Sequence, residues 1–173
     1  MAGATLTHVL DTNVLIEAQK GYYAFNVFPG FWDCLEHHGQ THRIISVDRV
    51  LDEIKKGNDE LKRWATRSVL KSFFAATGEE AVVSRYRELI RWVEAQPQFT
   101  RGAKAEFAGG ADGWVIAYAK VYGLTAVTLE TSDINSRKKV KMPDVCNEFG
   151  VPYENTFDML RALGVRFDWT PSV

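Results

Sequence analysis

The sequence predicts an α/β domain in which a mostly parallel sheet carries helices on both faces. Two observations predict it. Four short apolar runs of strand length, THVLD (7–11), RIISV (43–47), TAVTLE (125–130) and VPYEN (151–155), are spread along the chain. Between them lie stretches with apolar residues at helical spacing, and strands joined through helices are crossover-connected and therefore parallel. At 173 residues the chain suits one domain, 1–173, with a sizeable core.

The elements follow in order. HVLDTNVLIEAQ sets a polar break, Asp11-Thr12-Asn13, between two apolar runs. The first strand ends at Asp11, and residues 12–20 turn and begin a helix. FPGFWDCLEHHG, 28–39, reads as a helix opened by Pro29-Gly30 and stopped at Gly39. After the strand at 43–47, residues 48–57 place Val50, Leu51 and Ile54 at helical spacing, with Gly57 as a stop. Residues 59–76 continue helically, with Leu61, Trp64, Val69, Phe73 and Phe74 on a broad apolar face. A helix over 79–95 ends before Gln96-Pro97, residues 100–110 form a loop, and 111–123 is a helix with a Gly stop. The strand TAVTLE ends at Glu130, and TSDINSRKKVKM, 131–142, reads as a mobile polar and basic loop. Pro143 opens a short helix over 143–150, and a last helix covers 156–164. The tail VRFDWTPSV carries no readable pattern.

Composition excludes several classes. With 46% hydrophobic and 25% charged residues the chain is globular, not disordered. No apolar run approaches the ~18–20 residues of a membrane span, so no membrane partner is expected. MAGATLTHVLD has neither a basic n-region nor an apolar h-region, so no signal peptide is expected. Cys34 and Cys146 form no disulfide framework and fit reduced thiols in the cytoplasm. A net charge of −1 leaves a nucleic-acid partner open, because a local basic patch matters more than the sum.

In parallel sheets, sites lie at the carboxyl ends of the strands, near the point where strand order reverses. Asp11 and Glu130 end strands, Asp112 opens a helix that leads into a strand, and Glu53 lies one to two turns into the helix after the second strand. These carboxylates can therefore converge at one sheet edge. Each also has an ordinary alternative: Asp11 and Asp112 as helix N-caps, Glu53 as a solvated helix acid, Glu130 as an exposed strand-end acid. Convergent carboxylates repel one another, and a divalent cation removes that cost. An all-oxygen donor set suits Mg²⁺ or Mn²⁺ over Zn²⁺, the ion chemistry of nucleases and phosphatases.

VLDTNVLI, VLDEI, ADGWVIAYA and AVTLE, in this order, together with KMPDVCNEFGVPYENTFDMLRALG, resemble the PIN-domain family of metal-dependent ribonucleases over about residues 8–167. The resemblance is to its PIN-like branch of unknown function, related to VapC-type toxins. It implies a three-layer α/β/α sandwich with a parallel sheet of four or five strands. It implies Mg²⁺ or Mn²⁺, endonucleolytic RNA hydrolysis by metal-activated water, and a toxin held by a cognate antitoxin protein. It makes Asp11, Glu53, Asp112 and Glu130 the catalytic, metal-holding quartet, with Thr12 and Asn13 orienting them. Two departures stand out: relatives often carry Pro where this chain has Gly113, and Glu130 replaces the usual Asp, with Asp133 as a rival fourth acid.

Arg137, Lys138, Lys139 and Lys141 form a basic run that RNA phosphates would suit, or a solvated loop; Lys55 and Lys56 add to it weakly. Tyr22, Tyr23 and Phe25 could stack on bases, though burial or antitoxin contact fits them better. Cys34, His38 and His42 have zinc-like spacing but lack a fourth ligand, and Gly39-Gln40 is expected to break the helix between them. A dehalogenase-type phosphohydrolase would want Asp where Asn13 stands. The main alternative is a non-catalytic RNA- or protein-binding module. The sequence leaves a homodimer open.

Overall fold

A computed structural model describes residues 5–171. The first four residues of the N-terminal stretch read for a leader, and the last two of the tail, lie outside the described residues. The chain runs β1 (His8–Leu10), α1 (Thr12–Lys20), α2 (Pro29–Gln40), β2 (Ile44–Val47), α3 (Asp48–Lys55) and α4 (Glu60–Ala65). A 3₁₀ turn (Ser68–Leu70) leads to β3 (Phe74–Ala75). There follow α5 (Glu80–Ala95), α6 (Arg101–Gly109), α7 (Asp112–Tyr122), β4 (Thr125–Val127), α8 (Met142–Phe149), β5 (Tyr153–Glu154) and α9 (Thr156–Ala162).

The five strands form one all-parallel sheet in the order β3-β2-β1-β4-β5. It is flanked by helices as a three-layer α/β/α sandwich. α5, α7 and α8 pack together, as do α1, α3 and α4. Full burial of the central strands explains their sequences: Val9, Leu10, Ile44, Val47, Ala126 and Val127 are all core residues. The chain steps outward from β1 to β2 and β3, then returns to place β4 on the other side of β1. Strand order therefore reverses between β1 and β4. Among the described residues no helix is long and apolar enough to cross a membrane.

Five expectations need correction. The helix expected over 59–76 breaks after Ala65, because Phe73 and Phe74 are needed at the sheet edge, where Ser46 pairs with Phe74 and Val47 with Ala75. The loop expected over 100–110 is α6, capped by Thr100, whose hydroxyl accepts from the Ala103 N–H at 3.1 Å. Strand β4 stops at Val127, so Glu130 lies three residues beyond it. The segment 131–142 is pinned: Ser132 hydroxyl bonds the Asp144 carboxylate, the Thr100 N–H donates to the Arg137 carbonyl at 2.9 Å, and Val140 is buried.

Gly39 is also not a helix stop, since α2 runs on to Gln40. It marks a close approach. A Cβ there would lie 2.6 Å from Phe73 Cδ2. The Phe73 ring cannot yield easily, because it is buried edge-on against Trp64 and Phe74. In an open helix, Gly→Ala stabilises by about 1 kcal/mol. Here Gly39→Ala is expected to destabilise by roughly 1–3 kcal/mol through overpacking. Urea unfolding reads the difference, and a raised midpoint contradicts the packing argument.

Candidate functional site

The crossover helices run antiparallel to the strands, so their N-termini and the strand ends share one edge. β1 delivers Asp11, which is 1% exposed. The Asp11 N–H continues the sheet by donating to the Val127 carbonyl at 3.0 Å. Its side chain caps α1, with Oδ1 accepting from the Thr12 N–H at 2.6 Å. The ordinary reading of Asp11 as a cap and the reading of it as a site acid therefore describe the same residue. Asp112 is the first residue of α7, and Glu53 sits near the end of α3.

Hydrogen bonds hold these acids in place. Thr12 donates its hydroxyl to Glu53 Oε2 at 2.5 Å, and the Ala111 N–H donates to Glu53 Oε1 at 2.9 Å. Glu53 thus clamps the turn before α7 to the start of α1. Glu130 Oε2 accepts from the Met142 N–H at 2.9 Å, and its Oε1 is ion-paired with the Lys139 ammonium. Asn13 lines the cavity beside Glu53 and Asp112. That cavity, of about 210 Å³, is also lined by Glu106, Phe107 and Lys139.

The charges act on one another. Burial pushes the Asp11 carboxyl well above the usual carboxylate range; Asp112 adds to the rise, the Thr12 amide opposes it, and Glu130 and Glu53 add further. Burial, then Glu130 and Glu53, raise Asp112 to about 6, against a pull from Lys139. Beneath them, burial and then the charges of Asp11 and Asp112 push the Cys146 thiol up to about 12. Asp11, Glu53, Asp112 and Glu130 are therefore brought together. Asp133 stands apart and exposed, its N–H on Asp144 and its carboxylate on the Asn135 N–H.

Three members of the group are not singled out as such by the sequence. Thr128 is buried, donates to Asp11 Oδ2 at 3.3 Å and accepts from the Glu130 N–H at 3.2 Å. Its signal is a hydroxyl at an otherwise apolar strand end. Glu106 arrives on α6, the helix expected to be a loop. Lys139 faces the acids, whereas Arg137 and Lys138 are exposed and Lys141 caps α8 partly buried.

Gly113 has a local cause. A Cβ would lie 3.0 Å from Tyr86 Cε2 and 3.3 Å from Phe107 Cε1. Tyr86 is fixed by stacking on Trp114 and by a 2.7 Å bond from its hydroxyl to the Ala108 carbonyl. The aromatic trio does not stand free for stacking either: Tyr23 lies on Phe31 and Phe25 on Trp32, while Tyr22 is exposed against the edge of Phe157. Cys34 and His38 lie one turn apart on the unbroken α2, and His42 follows it at φ 54°.

Among the described residues no three His, Cys, Asp or Glu side chains stand as a ready ligand group for a metal ion. The donor chemistry still fits a hard divalent cation. The side-chain donors are all carboxylate oxygens, and among the described residues no hydrogen bond reaches the Asp112 carboxylate. Each oxygen of Asp11 and Glu53 accepts a single bond, which leaves lone pairs free. Burial first, and then the mutual repulsion of the acids, outweigh the Thr12 amide and Lys139 and leave the carboxyls of Asp11 and Asp112 raised.

The sign of the pH dependence follows. Asp112 titrates at about 6 folded against an ordinary 3.8, so between these values the folded chain holds a proton that the unfolded chain has lost. This group's contribution favours folding below about pH 4 and is lost as pH rises through about 6. Without divalent ions, Asp112→Asn is expected to gain stability over the wild type as pH rises from 4 to 8. Chemical denaturation in EDTA across that range measures the gap. A gap that does not change with pH removes the argument.

The family model described as "Domain of unknown function (DUF4411)" matches residues 8–167, from β1 to just beyond α9, and so spans every acid of the cluster. No curated protein matches the chain. With the match covering nearly its whole length, the chain belongs to the family described as "Domain of unknown function (DUF4411)".

Proposed function

We propose that this chain is a Mg²⁺- or Mn²⁺-dependent endoribonuclease of PIN-like type that hydrolyses RNA phosphodiester bonds. One observation carries the reading: Asp11, Glu53, Asp112 and Glu130 gather where strand order reverses, at the carboxyl edge of a parallel sheet. Asp11, Glu53 and Asp112 would hold the ion, with Glu130, paired to Lys139, as the fourth acid of the group. When bound, the ion supplies an activated water and neutralises charge developing on the phosphoryl oxygens.

The chain's own residues do the rest. Thr12 and the Ala111 N–H aim Glu53, and Thr128 aims Asp11. Fixed carboxylates present the same geometry at each turnover, which is how such orienting contacts raise affinity and rate. Exposed Arg137 and Lys138 beside the cavity attract the RNA backbone without reading its sequence. Support for a toxin restrained by an antitoxin protein comes from the exposed apolar edge at Tyr22, Leu129 and Phe157, which a protein partner would cover. Two free cysteines, Cys34 and Cys146, suit a cytoplasmic setting.

A specific observation favours the second reading, a binding module without catalysis. Glu130 is already neutralised by Lys139, and the acids do not stand as a closed ligand group. Thermal unfolding with EDTA and with millimolar Mn²⁺ separates the two, because a ligand of the native state must stabilise it. The wild type is expected to be stabilised by Mn²⁺ and to cleave RNA. Asp11→Asn is expected to lose both, with cleavage down at least about 100-fold, roughly 2.7 kcal/mol of barrier. A folded Asp11→Asn variant that cleaves at the wild-type rate sinks the nuclease reading.

A further inference from the structure

Lys139 belongs by sequence to a run of phosphate-seeking cations, yet it turns the other way. Its ammonium meets Glu130 Oε1, a buried oxygen that no neutral donor reaches. The other Glu130 oxygen is held by the Met142 N–H, so the carboxylate is fixed at both ends. The backbone of Lys139 is fixed as well. Its carbonyl accepts from the Ser136 hydroxyl at 2.6 Å, and the neighbouring Val140 is buried. Asp112 and Glu106 lie near enough for their charges to act on the ammonium, and both share its cavity with Glu53. A lysine waiting in solvent for a phosphate needs none of this support.

We propose that Lys139 is the resident cation of the site: its ammonium fills the place at Glu130 that a second divalent ion would take, so the acids bind one divalent ion and not two. This rests on the metal-dependent reading above. A second divalent ion would have to share the Glu130 carboxylate with the ammonium, two like charges on one buried acceptor. Glu130 spends its reach on a lysine and a helix N–H, and it need not reach the ion.

Counting bound Mn²⁺ on the full chain tests this without any activity assay. Calorimetry gives the stoichiometry, and frozen-solution EPR distinguishes isolated Mn²⁺ from a spin-coupled pair. The wild type and Lys139→Arg are expected to bind one ion with an isolated signal. Lys139→Met is expected to bind two, with the coupled signal. Two ions in the wild type, or one in folded Lys139→Met, overturn the resident-cation proposal and leave the metal-dependent reading standing. No ion in the wild type overturns both. Should Lys139→Met not fold, the wild type and Lys139→Arg decide: one ion in each supports the proposal, and two in either overturns it.

Discussion

Asp11 is buried at the carboxyl end of β1, the central strand of the sheet, and its carboxylate has a main-chain amide and one hydroxyl in place of water. Burying a charge so poorly compensated costs several kcal/mol unless the group is neutralised or paired. Much around it answers that cost. Thr128 is spent on Asp11, the α1 N-terminus points at it, and Lys139 brings a positive charge to the neighbouring Glu130 and Asp112. Nothing in the packing requires an acid here, since Val9, Leu10, Val14 and Leu15 would bury as well around a neutral residue. A fold that keeps the acid and assembles three more beside it is arranged for the charge itself.

The parts legible in the sequence were those with a strong local signature. The central strands read as continuous apolar runs because both faces are covered. Asp11 and Asp112 are legible as neighbours because each lies at an element boundary and the α/β pattern fixes which boundaries share an edge, whereas Glu53 lies one to two turns into α3. Strand β3 was not legible: Leu70, Phe73 and Phe74 have helical spacing, and a two-residue strand has no period of its own. Helix α6 was hidden by its glycines, although Thr100 was an available cap signal. Without a legible α6, nothing in the sequence brings Glu106 to the cavity.

Lys139 shows a different limit. Its neighbours in sequence are exposed cations, and composition treats the run as one patch. What separates Lys139 is the return of the chain after β4, which brings residue 139 back to Glu130 while Arg137 accepts a bond from Thr100. The pairing crosses a loop whose path no local rule specifies. The reason for Gly113 was hidden in the same way, since the rings that exclude a side chain there belong to α5 and α6.

The cysteine under the acids carries a consequence of its own. Attack on an alkylating reagent, and oxidation, both need the thiolate. With its thiol pushed to about 12, Cys146 offers almost none at neutral pH while the fold is intact. It lies on α8, the helix whose first N–H holds Glu130. Reagent can reach a competent sulfur only when that helix lifts away and the negative charges above it disperse. The rate at which Cys146 is modified is therefore a built-in clock for how often the floor of the acidic cluster opens.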